Sequence, residues 1–312
     1  FSLAVWYTDF HYMQIKRNKE GEFAMKDFVL MTDSCCDLPA ELAEEMELAV
    51  LPLSVMQDGR TYQNYLDHRE LDPKDFYDRV RNGSTGSTAA ANAEAFMEAM
   101  TVPLEAGKDI LCVCFSSALS TTYQSAVIAQ QELSGTYPDR KIQVIDSLCA
   151  SLGQGMLLYL AHRERQKGRT LEETASFVLE TIPHLCHYFT VDDLNHLKRG
   201  GRVSATAAVL GTMLQMKPIL HMDDQGRLIP LSKVRGRRAS IQALLAQMDE
   251  LVTDAETVFI SHGDCAEEVE AMAQQVRDRF GTKEVIINYV GPVIGNHTGA
   301  GVVALFFIGK HR

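Results

Sequence analysis

Ile110-Leu111-Cys112-Val113-Cys114-Phe115 is an unbroken apolar run. A strand with one wet face would alternate polar and apolar residues, so this one is read as buried on both faces, like a strand inside a parallel sheet. The run breaks at Ser116-Ser117-Ala118-Leu119-Ser120, and an amphipathic helix follows with Tyr123, Ala126 and Val127 on one side. Ser116 or Ser117 is expected to cap that helix. Hydroxyls and free backbone N–H groups would then point out at the strand's carboxyl end, a place that favours an anion.

The same strand-then-helix grammar recurs. Residues 28–31 form a strand ending at Thr32-Asp33-Ser34, and Asp37 with Pro39 opens a helix. Residues 49–55 read as a second strand, and residues 141–145 as another, ending at Asp146-Ser147. Helices are expected around Phe96, over 153–167 and over 171–182. This alternation predicts an α/β chain with a parallel, doubly wound sheet. From Val191 the character changes. Residues 218–231 form a hairpin, a helix covers 239–251, strands at 257–261 and 285–290 flank a helix around 267–280, and the tail carries Gly291, Gly295, Gly299 and Gly301. The expected division is an extension at 1–24 outside the fold, an N-terminal α/β domain at 25–190 and a C-terminal mixed α/β domain at 191–312, in keeping with 312 residues.

Composition narrows the function classes. A net charge of -11 argues against a nucleic-acid or anionic-membrane partner. No stretch approaches the roughly 20 apolar residues of a membrane span, so no stable membrane insertion is expected. The seven cysteines are an odd number, several inside apolar runs, which reads as reduced thiols in a cytoplasmic protein.

Four groups of residues could carry chemistry. The Ser/Thr/Gly run from Gly83 to Thr88 is on its own a solvated loop. Arg235, between a strand and a helix start, could hold a carboxylate or phosphate through its planar fork. His297 sits among four glycines that would let backbone approach a ligand. His184-x-x-His187 has metal-like spacing, but spacing alone is a weak signal. A hydrolase reading takes Ser117 as nucleophile, His297 as base and Asp146 as orienter. No G-x-S-x-G elbow surrounds either serine, so that reading stays second.

Taken together, Thr32-Asp33-Ser34, Phe115-Ser116-Ser117-Ala118-Leu119-Ser120, Gly200-Gly201-Arg202-Val203-Ser204, Lys233-Val234-Arg235-Gly236 and His297-Thr298-Gly299-Ala300-Gly301 stand in the order and rough spacing of the DegV family, which the chain resembles from Met25 to Ile308. The resemblance implies a bacterial two-domain α/β protein that holds one long-chain fatty acid, its tail buried between the domains. It also implies presentation of that fatty acid to a fatty-acid kinase, which makes an acyl phosphate for phospholipid synthesis. By resemblance Thr88, Ser116 and Ser117 hold the carboxylate, Arg235 and His297 lie near the head group, and Arg202 docks the kinase. No cofactor, metal or catalytic residue is implied. The chain departs from the family at Thr88-Ala89-Ala90-Ala91, where Thr-Ser-Gln-Pro is usual, and at Ala300, where proline is common.

Overall fold

The computed structural model describes residues 28–203 and 215–312. The extension at 1–24 and Ser204 of the glycine-bearing motif therefore lie outside the described residues. The first part of the chain runs β1 (Phe28–Asp33), α1 (Ala40–Glu45), β2 (Ala49–Leu51), β3 (Ser54–Gln57), β4 (Arg60–Gln63), α2 (Pro73–Arg81) and β5 (Gly86–Ala89). It continues with α3 (Ala93–Glu105), β6 (Asp109–Cys114), α4 (Thr122–Thr136), β7 (Ile142–Asp146), α5 (Leu152–Gln166) and α6 (Leu171–Thr181). Strands β2-β1-β6-β7 form a parallel sheet, in register at Val29↔Ile110 and Cys112↔Val144. Every residue of β6 is buried. Leu111 and Val113 face one core cluster while Ile110, Cys112 and Cys114 face another, the period-two split of a strand covered on both sides.

The second part runs β8 (Leu185–Thr190), α7 (Asn195–Arg199), β9 (Met216–Met222), β10 (Leu228–Arg235), α8 (Arg237–Leu251), β11 (Val252–His262) and α9 (Ala266–Phe280). It closes with β12 (Glu284–Tyr289), α10 (Pro292–Thr298) and β13 (Val303–Gly309). Its six strands form one mixed sheet in the order β10-β9-β8-β13-β11-β12, parallel only between β11 and β12. The sequence reading leaves residues 185–190 in the first unit. They form β8, which pairs with β13 and β9 of the second sheet, so the change of sheet comes before Leu185.

Helix α5 joins the two sheets. It packs on β6 on one side and on β8, β11 and β13 on the other, and ten of its residues are buried, which leaves a narrow stripe at Tyr159, Arg163 and Gln166 toward water. Two glycines let it come that close. A Cβ at Gly153 would stand 2.9 Å from Phe306, and one at Gly155 2.8 Å from the Cys36 carbonyl. Helix α6 opens with a capping box in which Thr170 and Glu173 satisfy each other's backbone N–H. Helices α3 and α4 cover the far side of the parallel sheet, and α8 and α9 the far side of the mixed one.

Three local expectations give way. Residues 49–55 are two strands, β2 and β3, split at Pro52, which cannot donate to a ladder. The Gly83–Thr88 run is not a linker: Gly86–Ala89 is β5 in a separate antiparallel sheet β4-β3-β5, where Thr88 pairs with Val55. The glycine-bearing tail holds a short helix, α10, with Pro292 at its first position, where a missing N–H costs nothing.

Candidate functional site

The carboxyl ends of β1 and β6 are tied together by one buried side chain. Asp33 accepts from the Phe115 N–H at 2.8 Å, the Cys35 N–H at 3.0 Å and Gln154 Nε2 at 3.1 Å. Burial raises its pKa despite those donors. Beyond Phe115 the chain does not enter a helix at once. Helix α4 begins at Thr122, so Ser116 and Ser117 do not cap it. Nor are the loop amides free. Ser116 N–H donates to Cys149 O at 3.0 Å, Ser117 N–H to Asp146 Oδ1 at 3.1 Å and Ala118 N–H to Ser116 Oγ at 3.3 Å, while Leu119 and Ser120 N–H both reach Ser116 O. The loop offers hydroxyls and no backbone nest.

Those hydroxyls open on a cavity of about 400 Å³. Much of its lining is apolar: Cys35, Leu53, Ala150, Leu197 and Val293 all line it and are buried. The same lining carries Thr88, Ser117, Ser120, Thr121, Arg202, His297 and Thr298. Thr88 Oγ1 and His297 Nε2 are 2.8 Å apart, joining β5 to the last turn of α10. Burial, with the Arg202 charge adding to it, pushes the imidazole down to about 4, so it is neutral at pH 7. His297 Nδ1 is buried with no hydrogen-bond partner among the described residues. It lies against Gly200, where a Cβ would stand 3.1 Å and 3.2 Å from the ring carbons Cε1 and Cγ and closer still to Nδ1.

The sequence-derived residues separate on this geometry. Thr88, Ser117 and His297 meet at the cavity. Ser116 does not line it: fully buried, its hydroxyl donates to Gly226 O at 2.8 Å, which docks the turn of the β9–β10 hairpin onto the β6 loop. Arg202 is part of the wall and not an outlying surface group. Its Nε donates to Leu119 O at 3.2 Å and a terminal nitrogen to Gly200 O. Arg235 is exposed at the far end of β10 and stands outside the lining, whereas Leu228, at the near end, belongs to it. Seven steps along a strand span roughly 20 Å. The guanidinium tucked beside the glycine tail is that of Arg237 instead, bonded to Gly301 O at 2.6 Å and Glu268 Oε2 at 2.9 Å.

Neither second reading assembles. Ser117 and His297 form no nucleophile–base pair, because the ring's Nε2 faces Thr88 and Asp146 accepts from the Ser117 and Leu148 amides. His184 Nδ1 sits on the Gly309 and Lys310 carbonyls while His187 is buried 4.5 Å from the Phe306 ring centroid. Among the described residues no group of three metal-ligating side chains gathers, and no helix is long and apolar enough to cross a membrane. All seven cysteines are free, and only Cys265 is not fully buried.

Sequence reasoning missed Ser120 and Thr121, which a cap at Ser116 or Ser117 would have placed inside the helix, and Thr298, which it left in the glycine-bearing loop. It also missed Gly200, whose need for a bare Cα shows only once His297 is placed against it.

The comparisons agree with this architecture. The DegV family model matches residues 27–310. A DegV domain-containing protein of Clostridium perfringens is 42% identical over 290 residues, covering 92% of this chain and 99% of its own length. A Thermus thermophilus DegV-family structure described as fatty-acid-binding superposes with a TM-score of 0.82 at 29% identity, over 90% of this chain and 99% of that one. DegV of Bacillus subtilis, described as a fatty-acid-binding protein, gives 0.78 at 28% identity over 91% and 100%. The chain belongs to the DegV family.

Proposed function

We propose that this protein binds one long-chain fatty acid, with the tail in the apolar part of the cavity and the carboxylate at Thr88, Ser117 and Arg202. The observation that carries the reading is one cavity lined both by buried apolar side chains and by hydroxyls with a guanidinium. At interior packing density a methylene takes roughly 27 Å³, so about 15 of them fill the space. Each buried methylene contributes about 0.8 kcal/mol, so the tail supplies affinity. The head group supplies orientation, since a carboxylate leaving water needs partners for its charge. Neutral His297 donates from Nε2 to Thr88 Oγ1, freeing the threonine proton for the carboxylate. The DegV proteins of Thermus thermophilus and Bacillus subtilis, both described as fatty-acid-binding, support the assignment.

The finer part of the proposal is presentation to a fatty-acid kinase. A half-open site that fixes an anion without attacking it suits a protein that hands its ligand to another enzyme. Native mass spectrometry followed by denaturing extraction tests the binding reading: one fatty acid per chain is expected. A chain that stays empty after incubation with palmitate and oleate overturns it. Presentation is tested by ATP-dependent acyl-phosphate formation with a purified bacterial fatty-acid kinase, and no product from loaded protein would refute that role.

A further inference from the structure

The seam between the two sheets holds a carboxyl that the head-group site leaves unused. Asp37 is 3% exposed and sits in the left-handed region at φ 50, one residue past the turn Ser34–Cys36. Its Oδ2 accepts from Ser151 Oγ at 2.6 Å, just before α5, and Ser151 Oγ is 3.0 Å from Ser261 Oγ on β11. Asn288 of β12 donates to the Asp37 carbonyl at 2.8 Å. The carboxyl also accepts from the Gly291 N–H, and the approach is so close that a Cβ on Gly291 would stand 2.7 Å from Oδ1. Gly291 is the residue before α10, a helix with no capping side chain of its own. One residue earlier, Val290 O accepts from Tyr77 Oη of α2 at 2.7 Å.

We propose that Asp37 is a positioning residue for His297: from across the sheet boundary it clamps the first turn of α10 and so fixes the imidazole against Thr88. The helix is only seven residues long, about 10 Å, so a displaced start displaces the end. At that end Asn296 Nδ2 donates to Gly86 O at 3.1 Å and His297 meets Thr88 at 2.8 Å, both on β5. The clamp and the head-group contact are thus two ends of one rigid piece. The functional consequence rests on the fatty-acid reading, whereas the positioning itself does not.

The clamp works as the protonated acid, with the bond at Oδ2 reversed: the carboxyl O–H donates to Ser151 Oγ, whose own proton goes to Ser261 Oγ, while the carboxyl still accepts from Gly291. Burial, with Asp33 adding to it, raises Asp37 to about 8, against the opposing Ser151 and Gly291 bonds. The titratable groups facing it are Asp33, Cys35 and Cys36 from its own turn and Tyr77 from α2. From α5, β11 and β12 come the uncharged Ser151, Ser261 and Asn288, and no cation stands among these partners. A pKa raised in the fold gives stability that is whole below the unfolded value and is lost as pH climbs to about 8. An amide is the neutral replacement: its oxygen accepts from Gly291 and its NH2 donates to Ser151, which can pass its own proton to Ser261.

The test follows the His297 imidazole by NMR titration in the full chain, with palmitate affinity measured in parallel. In wild type and Asp37→Asn the ring stays neutral down to about pH 5. In Asp37→Ala its midpoint moves up by about one unit or more toward the free-histidine value, and palmitate affinity falls about tenfold. The asparagine variant restores both. Weakened affinity with an unmoved His297 midpoint would make Asp37 a general structural residue and overturn the inference. A moved midpoint in a protein whose wild type ignores palmitate would sink the fatty-acid reading and leave the positioning intact. If Asp37→Ala does not fold, thermal midpoints of wild type and Asp37→Asn between about pH 6.5 and 8 decide. Wild type loses stability relative to the amide, and parallel curves refute the clamp.

Discussion

Gly200→Ala isolates the Thr88–His297 contact without touching either residue. Gly200 lies in ordinary right-handed backbone at φ -72, so alanine brings no torsional strain. The new methyl meets the His297 ring, standing 3.1 Å and 3.2 Å from Cε1 and Cγ and nearer to Nδ1. Overpacking of this kind costs about 1–3 kcal/mol. The backbone of α10 is held by Asp37 and Tyr77, so the ring is what yields, and the 2.8 Å bond to Thr88 goes with it. Losing a buried hydrogen bond costs about 1–2 kcal/mol, which predicts palmitate binding weakened roughly 5- to 30-fold. The assay is calorimetric titration of delipidated protein, repeated on a His297→Ala background. There Gly200→Ala should add less than about 0.5 kcal/mol, because the two changes act through one contact. Affinity within twofold of wild type, or an undiminished loss without the histidine, would refute the reasoning.

Thr88→Ala and Ser117→Ala should each weaken fatty-acid binding by about 1–3 kcal/mol, and unchanged titration curves for both would remove them from the head-group site. Ser116→Ala should instead lower thermal stability by about 1 kcal/mol through its lost bond to Gly226 O while changing affinity less than Ser117→Ala does; the reverse ranking would return Ser116 to the cavity. Arg202→Ala should weaken binding about tenfold and raise the His297 midpoint, since a neighbouring positive charge is removed; a fixed midpoint in NMR titration counts against the placement. Burial lowers the pKa of His187, His262 and His297 below the unfolded value. Their contribution is therefore whole above about pH 6.5 and lost as pH falls below it, for His262 and His297 toward about 4, so a calorimetric midpoint that stays flat across that acid range would contradict it.

The parallel sheet was legible because its signal is local. A strand covered on both faces must be apolar throughout, and β6 is. Ser117 was legible from the break between strand and helix, but Thr88 only through motif order, since nothing within five residues of Thr88 distinguishes a linker from an edge strand. What stayed hidden depends on partners far away in sequence. The Gly83–Thr88 run becomes ordered by pairing with residues 54–57. Ser116 loses its place in the site because the Gly226 carbonyl, 110 residues later, takes its hydroxyl. Asp37 has the local grammar of a helix cap, yet it is bonded to Ser151 and Gly291 and leaves α1 without a side-chain cap. Arg202 and Arg235 are both basic residues beside glycines, and only the path of the hairpin decides which one reaches the cavity.

The site holds every residue type that ester hydrolysis needs, and the accounting of hydrogen bonds shows why they do not add up to it. A serine nucleophile needs a base within reach, a third group to orient that base, and N–H donors for the developing oxyanion. Here the base faces Thr88, and its other nitrogen lies against Gly200 with no orienting acid. Asp146, the natural orienter by chain position, is committed to two backbone amides. The loop amides from Phe115 to Ser120 are bonded within the fold. Recruiting any one of them would break a contact that shapes the cavity. The groups left at the cavity are hydroxyls, those of Thr88 and Ser117 among them, and the Arg202 guanidinium beside apolar side chains, and such groups hold a carboxylate in place without attacking it.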